Sequence, residues 1–538
     1  MNQDFDAVIV GSGPAGVSAA FPLLDAGLRV LMVDGGKAPR VASPAGQFLD
    51  LRQQQHSQFD WMVGSDFHAL SQEGAISPKL KTPSHAYVFE DFARVNRIEA
   101  ESFVAVGSLA RGGLSNAWGC GVAKLSPAEL SDFPFPPQAL DVSYDAVARR
   151  MGISGAFEDD LSSYFGLDHC AQPPGVLDAL QRRLLEQYQI RRQSPAIAGF
   201  RMGRARSAVL TQAKDERLAC DQSDLCMWGC SRRSLYSATE DLRQLQRYDS
   251  FSYRPGFIVE RVVRDSSYIA IQGDDGGGRQ TLRARRILLA AGTIASTRLA
   301  LMALDKPIAV AMQSCPTAAF MLWIPRAWGR SRSATFGMAQ LAYTLDVGGG
   351  QFNGYGGLFD TTGIPMTEFS KYMPLGKRFG IDVLSSLLSS CVVGNLFLPG
   401  RLTHASLSMR QDDVLHVTGQ YDDQVSSLMA EAAKRIRTAF RQLGAWVLPR
   451  SFTTGRPGTD IHYAASLPMR DRPVPGQTDS FGQVYGVQGL HIVDGASLSN
   501  LPAKPHTLTI MANADRIGRT LAVELKPVSY THLTLPTI

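Results

Sequence analysis

Apolar and polar positions divide this chain into two ends of one character and a middle of another. Residues 6–10 (DAVIV) form a short apolar run closed by glycine, the pattern of a strand buried on both faces. Residues 14–26 read as a helix, and residues 28–33 (LRVLMV) as a second buried strand that ends on Asp34. These three make a strand–helix–strand unit. Pro22 falls inside the helix, where a proline costs about 3 kcal/mol in an ordinary interior.

Residues 35–100 are mixed and polar, a long excursion with few periodic segments, and residues 130–200 read as loop-rich with short helices. The pattern then predicts a strand pair over 257–263 and 268–272, a DDGGG turn at 274–278, and a buried strand over 287–291 ending at Gly292. From about 305 to 450 strands alternate with glycine-rich hairpins, and an amphipathic helix is predicted over 425–443. The glycine cluster at 348–357 has no buried strand before it and no helix after it, so it reads as a hairpin and not as a nucleotide site. Residues 455–525 return to strand and helix. The expected class is α/β, or α+β overall: a Rossmann-like domain interrupted by an antiparallel-sheet domain. The first unit is expected to comprise 1–45, 95–130, 200–304 and 455–525; the second comprises 46–94, 131–199 and 305–454.

A chain of 538 residues is too long for one compact core, which agrees with two units. The net charge of +5 comes from scattered Arg and Lys with no basic run, which argues against a nucleic-acid partner. The start carries no signal-peptide pattern, and the apolar stretch 379–398 is broken by Asp382, serines, Gly394 and Asn395, so no transmembrane segment is expected. Seven cysteines, an odd number in so long a chain, fit a reduced interior, and a cytoplasmic location is expected. Cys220, Cys226 and Cys230 stand in a C-x5-C-x3-C cluster without a nearby His; they read as buried or redox-capable thiols, with metal binding the lesser alternative. The uncharged tail 527–538 reads as translated adapter sequence, and His532 within it is given no role.

Chemistry enters at the first turn, Gly11-Ser-Gly13-Pro14-Ala15-Gly16. The first glycine permits the tight turn, the second lets the backbone approach a pyrophosphate, and the third lets helix and strand pack closely. The helix start offers unpaired N–H groups to phosphate, and Asp34 is placed to hydrogen-bond a ribose hydroxyl. Strand, turn, helix, strand and acid in that order mark a dinucleotide site, which either NAD or a flavin nucleotide would satisfy.

The distinction lies near the other end. Residues 489–497 (GLHIVDGAS) make a strand ending in Asp494, and Pro505-His506-Thr507-Leu508-Thr-Ile-Met-Ala opens a helix. These segments resemble the bacterial branch of the glucose–methanol–choline (GMC) oxidoreductase family. Residues 286–299, with Ala291 and Gly292, resemble its second glycine signature, and Val259 matches its adenine-contacting strand. Gly112-Gly113-Leu-Ser115-Asn116-Ala117-Trp118 resembles its turn beside the isoalloxazine. The resemblance implies FAD, with Asp494 near the ribityl–pyrophosphate region and the helix start, at Thr507 and Leu508, near the flavin. Members that attach flavin covalently use a His where this chain has Ala117, so the resemblance implies noncovalent FAD. No second dinucleotide fold is present for a pyridine nucleotide.

Alcohol oxidation needs a base for the hydroxyl proton while hydride leaves carbon for flavin N5, and a neutral His suits that task. His462, in His462-Tyr-Ala-Ala465-Ser-Leu-Pro-Met469, is similar to the family's H-x-x-G-x-x-x-M segment, with Ala465 in place of glycine. The family's second catalytic position counts back to Pro505, which has no donor. That leaves the role to His506, to Asn500 or to a water, with His506 the candidate. The implied activity is oxidation of a primary or secondary alcohol, a sugar or polyol among them, with an external acceptor such as oxygen, a quinone or a redox carrier. The alternatives are a flavin-containing isomerase or lyase and a non-catalytic flavin-binding protein. No metal is assigned.

Overall fold

Four parallel strands carry the glycine turns: Phe251–Pro255, Val30–Asp34, Phe5–Val10 and Arg279–Leu289, in that order. We describe a computed structural model of the chain, covering residues 5–54, 61–64, 68–71, 78–265, 268–304, 307–330, 334–363, 383–384 and 386–526. Val30–Asp34 is buried along its whole length, as its apolar run requires. The strand predicted at 287–291 is longer than its apolar run, because its first half is a half-polar partner in a hairpin. Residues 279–284 pair antiparallel with Tyr268–Asp274, which in turn pairs with Ile258–Asp265. Past that point residues 287–289 pair in parallel with Leu490–Ile492, so both ends of the chain meet in one sheet.

Helix Pro14–Asp25 packs on the last helix, Thr507–Leu525, and the contact explains the interior proline. A side chain at Gly518 would stand 2.6 Å from the Ala19 carbonyl and 2.7 Å from Pro22 Cγ. The buried Pro22 ring therefore sits in the gap that Gly518 leaves, three residues before the helix ends, and close packing offsets part of the lost backbone bond.

The middle of the chain forms an antiparallel sheet. Its order is Trp446–Val447, Thr317–Trp323, Cys391–Phe397, Phe352–Asp360, Leu341–Val347 and Phe200–Arg204, with Thr453–Thr454 also paired to Thr317–Trp323. The 348–350 glycines turn the predicted hairpin, all with positive φ. Helix Val425–Gln442 covers this sheet with Leu428, Met429, Ile436 and Phe440, its predicted apolar stripe. A third sheet of five strands runs Tyr463–Ala464, Ala309–Ser314, Thr403–Met409, Leu415–Tyr421 and Ile98–Glu101.

Three strands from stretches assigned above to the dinucleotide unit thus pair elsewhere, Phe200–Arg204 in the second sheet and Ile98–Glu101 and Tyr463–Ala464 in the third. Residues 130–200 hold more helix than their polar composition suggested: Asp141–Met151 and Ala179–Arg191. Residues 364–382 and the tail at 527–538, with His532, lie outside the described residues. Among the described residues no helix is long and apolar enough to cross a membrane.

Candidate active site

A cavity of about 790 Å³ runs between the first two sheets, from the glycine turn and Asp34 at one end to His462 and His506 at the other. Its size and its mixed apolar and polar lining suit a large cofactor together with a small substrate.

At the first turn each glycine is required by space. Gly11 has φ +107°, and a Cβ there would meet the Ala290 carbonyl at 2.3 Å. A Cβ on Gly16 would stand 1.9 Å from the Gly11 carbonyl, so Gly16 closes helix onto strand without lining the cavity. Gly13, Pro14 and Ala15 do line it. Gly13 caps the helix without a side-chain acceptor, which leaves the first-turn amides available to phosphate. Asp34 accepts hydrogen bonds from Ser12 Oγ, from Tyr253 Oη at 2.8 Å and from the Gly36 amide at 2.8 Å. Burial nonetheless raises its pKa above the ordinary carboxylate value.

Ser12 and Tyr253 were not singled out from the sequence. Ser12 joins the two turns, because its Oγ also accepts the Gly112 amide at 3.0 Å. In the second turn Ser115 Oγ donates to the Gly112 carbonyl at 2.6 Å, and Asn116 Nδ2 donates to the carbonyls of Arg111 and Gly113, each at 2.8 Å. Gly113, Ser115, Ala117 and Trp118 line the cavity, whereas Gly112 and Asn116 hold the turn from behind. Buried Lys79, also missed, donates to the Trp118 carbonyl at 2.6 Å.

Ala291, Gly292 and Asp494 line the cavity side by side. The Asp494 carboxylate accepts the Gly292 amide at 2.9 Å, Ser296 Oγ at 2.5 Å and the Ala496 amide at 3.0 Å; burial raises its pKa to about 6. Thr507 reaches the cavity at the start of the last helix, while Leu508 is buried in the core behind it. Val259 packs into the core of the first sheet and lies off the cavity wall.

The two histidine rings meet 4.8 Å apart at 83°, and Phe397 stands 4.8 Å from His462 on another side. His462 Nδ1 is buried and unbonded, 3.8 Å from Asp460 Oδ2. Nε2 is not among the enclosed atoms, and 29% of the side chain is exposed, so that edge of the ring is open to the cavity. Burial pushes the His462 pKa down to about 4 and that of His506 well below its ordinary value. Both rings are neutral at pH 7. Ile461 at φ +58° and Ala465 at φ +60° flank the His462 segment, both in the left-handed backbone region that favours glycine. The segment is anchored by Thr293 Oγ donating to the Tyr463 carbonyl at 2.7 Å and by Tyr463 Oη donating to the Val104 carbonyl at 2.6 Å.

Pro505 lines the cavity beside His506. Asn500 points away, its Nδ2 donating to the Glu129 carbonyl and to Asp132, each at 3.0 Å. Of the thiol cluster, Cys220 Sγ accepts the Gln222 amide at 3.4 Å, Cys230 Sγ lies 3.1 Å from Ser234 Oγ, and Cys226 is buried. Burial raises the pKa of Cys220 and Cys226, which makes both poor nucleophiles. Cys315, Asp460 and His462 each place a ligand atom within 4.8 Å of the others, but the Asp460 carboxylate already accepts Ser314 Oγ at 2.6 Å and the Cys315 amide at 2.7 Å.

Cradle, acid and helix starts fit FAD. Residues 6–89 match the FAD binding domain family and residues 399–514 match the GMC oxidoreductase family. The chain carries a GMC oxidoreductase domain and an FAD binding domain. The protein is an FAD-dependent oxidoreductase that acts on the CH–OH group of its donor. It is 23% identical to the paromamine 6'-oxidase of Streptomyces fradiae, over 97% of this chain and 92% of that one. Its fold is similar to that of pyridoxine 4-oxidase from Mesorbium loti, with TM-score 0.59 and 15% identity over 96% of this chain and 99% of that chain. It is also similar to formate oxidase, with TM-score 0.60 and 12% identity over 97% and 98% of the two chains.

Proposed function

We propose that this enzyme oxidises a primary or secondary alcohol, a sugar or polyol among them, with His462 as the base and noncovalent FAD. The observation that carries this reading is a neutral histidine whose Nε2 edge opens to the cavity between the Thr507 helix start and the second sheet. His462 takes the hydroxyl proton at Nε2, and the orphaned Nδ1 faces Asp460 across 3.8 Å. Gly113, Ser115, Ala117 and Asp494, which line the cavity, would hold FAD, and the bound cofactor would supply the hydride acceptor. His506, beside His462, orients the substrate oxygen. The start of helix Thr507–Leu525 favours negative charge at its end of the cavity.

Ala117 supports noncovalent attachment, since its methyl group has no atom that bonds a flavin. The division into a cofactor unit around the first sheet and a substrate unit around the second follows the position of the cavity between them. The oxidase names of the relatives support oxygen as the acceptor. Seven free cysteines support a reducing compartment such as the cytoplasm.

The test is anaerobic mixing with a panel of alcohols while following the oxidised-flavin band. Bleaching supports the reading. An unbleached band with an altered product would instead mark an isomerase or lyase, and no response to any alcohol a binding protein without turnover. Acid precipitation tests attachment: noncovalent FAD goes into the supernatant.

A further inference from the structure

Pro505 lines the cavity beside His506 and has no N–H to offer a substrate oxygen. Another group stands against the same spot. A Cβ built on Gly121 would lie 3.4 Å from Pro505 Cγ and 3.8 Å from Tyr355 Oη, so the proline ring and the tyrosine hydroxyl converge on the space that Gly121 leaves open. All three residues line the cavity.

Strand register brings Tyr355 to the histidines by a second route. Tyr355, in Phe352–Asp360, lies directly opposite Phe397 in the antiparallel pair. Directly opposed side chains share one face of a sheet about 5 Å apart. The Phe397 ring in turn stands 4.8 Å from His462. Two independent contacts thus bracket Tyr355 beside the proposed reaction centre.

Its hydroxyl is well prepared. The ring is stacked on Tyr164 at 5.9 Å and 12°, and Phe165 meets it edge-on at 6.3 Å and 86°, so its orientation is held by packing. Tyr355 is only 6% exposed, and among the described residues its Oη makes no hydrogen bond. A phenol oxygen on the cavity wall with no protein partner is free to donate to an oxygen that arrives there. Burial also raises its pKa, which keeps the proton on oxygen and the group a donor.

From this we infer that Tyr355 Oη is a catalytic hydrogen-bond donor to the substrate oxygen, supplying the contact that Pro505 cannot. The inference rests on the alcohol-oxidation reading. His462 removes the hydroxyl proton while Tyr355 donates to the same oxygen as negative charge builds on it. Tyr355 keeps its own proton throughout, so no further acid or base is needed.

The test uses the FAD-loaded enzyme, its Tyr355→Phe variant, and acetate as an unreactive oxyanion probe read by its perturbation of the flavin band. Removing one preorganised donor to an oxyanion costs about 100-fold in the chemical step, so bleaching by the best alcohol of the panel is expected to slow by about that factor. Acetate is expected to bind about tenfold more weakly, with flavin content and melting temperature unchanged. Gly121→Ala, which fills the space before the hydroxyl at a position of ordinary φ, is expected to weaken acetate as well. Bleaching within twofold of the unaltered enzyme together with unchanged acetate affinity overturns the assignment, as does an unaltered enzyme that ignores acetate. If no alcohol bleaches the flavin, the alcohol reading falls, and acetate still decides whether Tyr355 binds an oxyanion.

Discussion

The imidazoles of His462 and His506 stand edge to face, 4.8 Å apart and 83° from parallel. Perpendicular rings in contact present different edges to their surroundings, so the two residues are suited to different tasks. Removal of His462, as His462→Ala, is expected to slow flavin bleaching by about 10²–10⁴-fold, the usual worth of a positioned base. His506→Ala is expected to cost about tenfold, the worth of one hydrogen bond to a charged group. Rapid-mixing spectroscopy measures both. A His462→Ala enzyme with normal flavin content and undiminished bleaching would remove the base assignment.

The pH dependence follows from burial at the same place. His462 is pushed down to about 4 and the neighbouring Asp460 up to about 7. The base acts when unprotonated, so activity is expected to persist below the ordinary histidine range and to fall only as the pH drops toward 4. Asp460 gains its charge as the pH rises through 7, and a carboxylate 3.8 Å from Nδ1 strengthens the base. A second rise in kcat/KM across neutrality is therefore expected, and it should vanish in Asp460→Asn. A profile unchanged by that substitution would uncouple the two residues.

Ala465 holds a left-handed backbone at φ +60° on the carboxyl side of His462. A non-glycine residue pays about 1–2 kcal/mol there. Ala465→Gly is expected to raise the melting temperature, with a gain near 1 kcal/mol after loss of a small buried methyl group. A lower melting temperature would mean that the methyl packs too well to be spared.

Gly16 allows no side chain, since a Cβ would lie 1.9 Å from the Gly11 carbonyl. Gly16→Ala is expected to pry the helix from the strand and yield protein with little bound flavin, read from the ratio of flavin to protein absorbance after purification. Gly175→Ala, where the nearest atom is Thr211 Cγ2 at 3.7 Å, is the contrasting variant and is expected to keep its flavin.

What was legible in the sequence is local. Gly11, Gly13, Gly16 and Asp34 announce themselves because a turn, a helix start and a strand end each depend on a few consecutive residues. The predicted hairpin at 341–360 and the helix at 425–443 were legible for the same reason, their hydrophobic periods being short. His462 was found through a motif, and the structure adds what the motif could not: burial that keeps the ring neutral and an Nε2 edge that opens to the cavity.

Other features exist only through contacts between distant segments. Ser12 ties Asp34 to Gly112, Gly518 receives Pro22, and Gly121 opens the space where Pro505 and Tyr355 meet. Nothing in the neighbourhood of Tyr355 along the chain distinguishes it from the other aromatic residues of its sheet. Strand register alone sets it opposite Phe397, and the pairing of Leu490–Ile492 with the first sheet delivers the chain toward His506. The chain by itself determined the cofactor turn, the alternation of the two units and the histidine, because backbone conformation and hydrophobic period are short-range properties. Tertiary structure decided which polar groups share the cavity and which are buried behind it, because packing, and the desolvation that shifts their pKa values, acts between residues hundreds of positions apart.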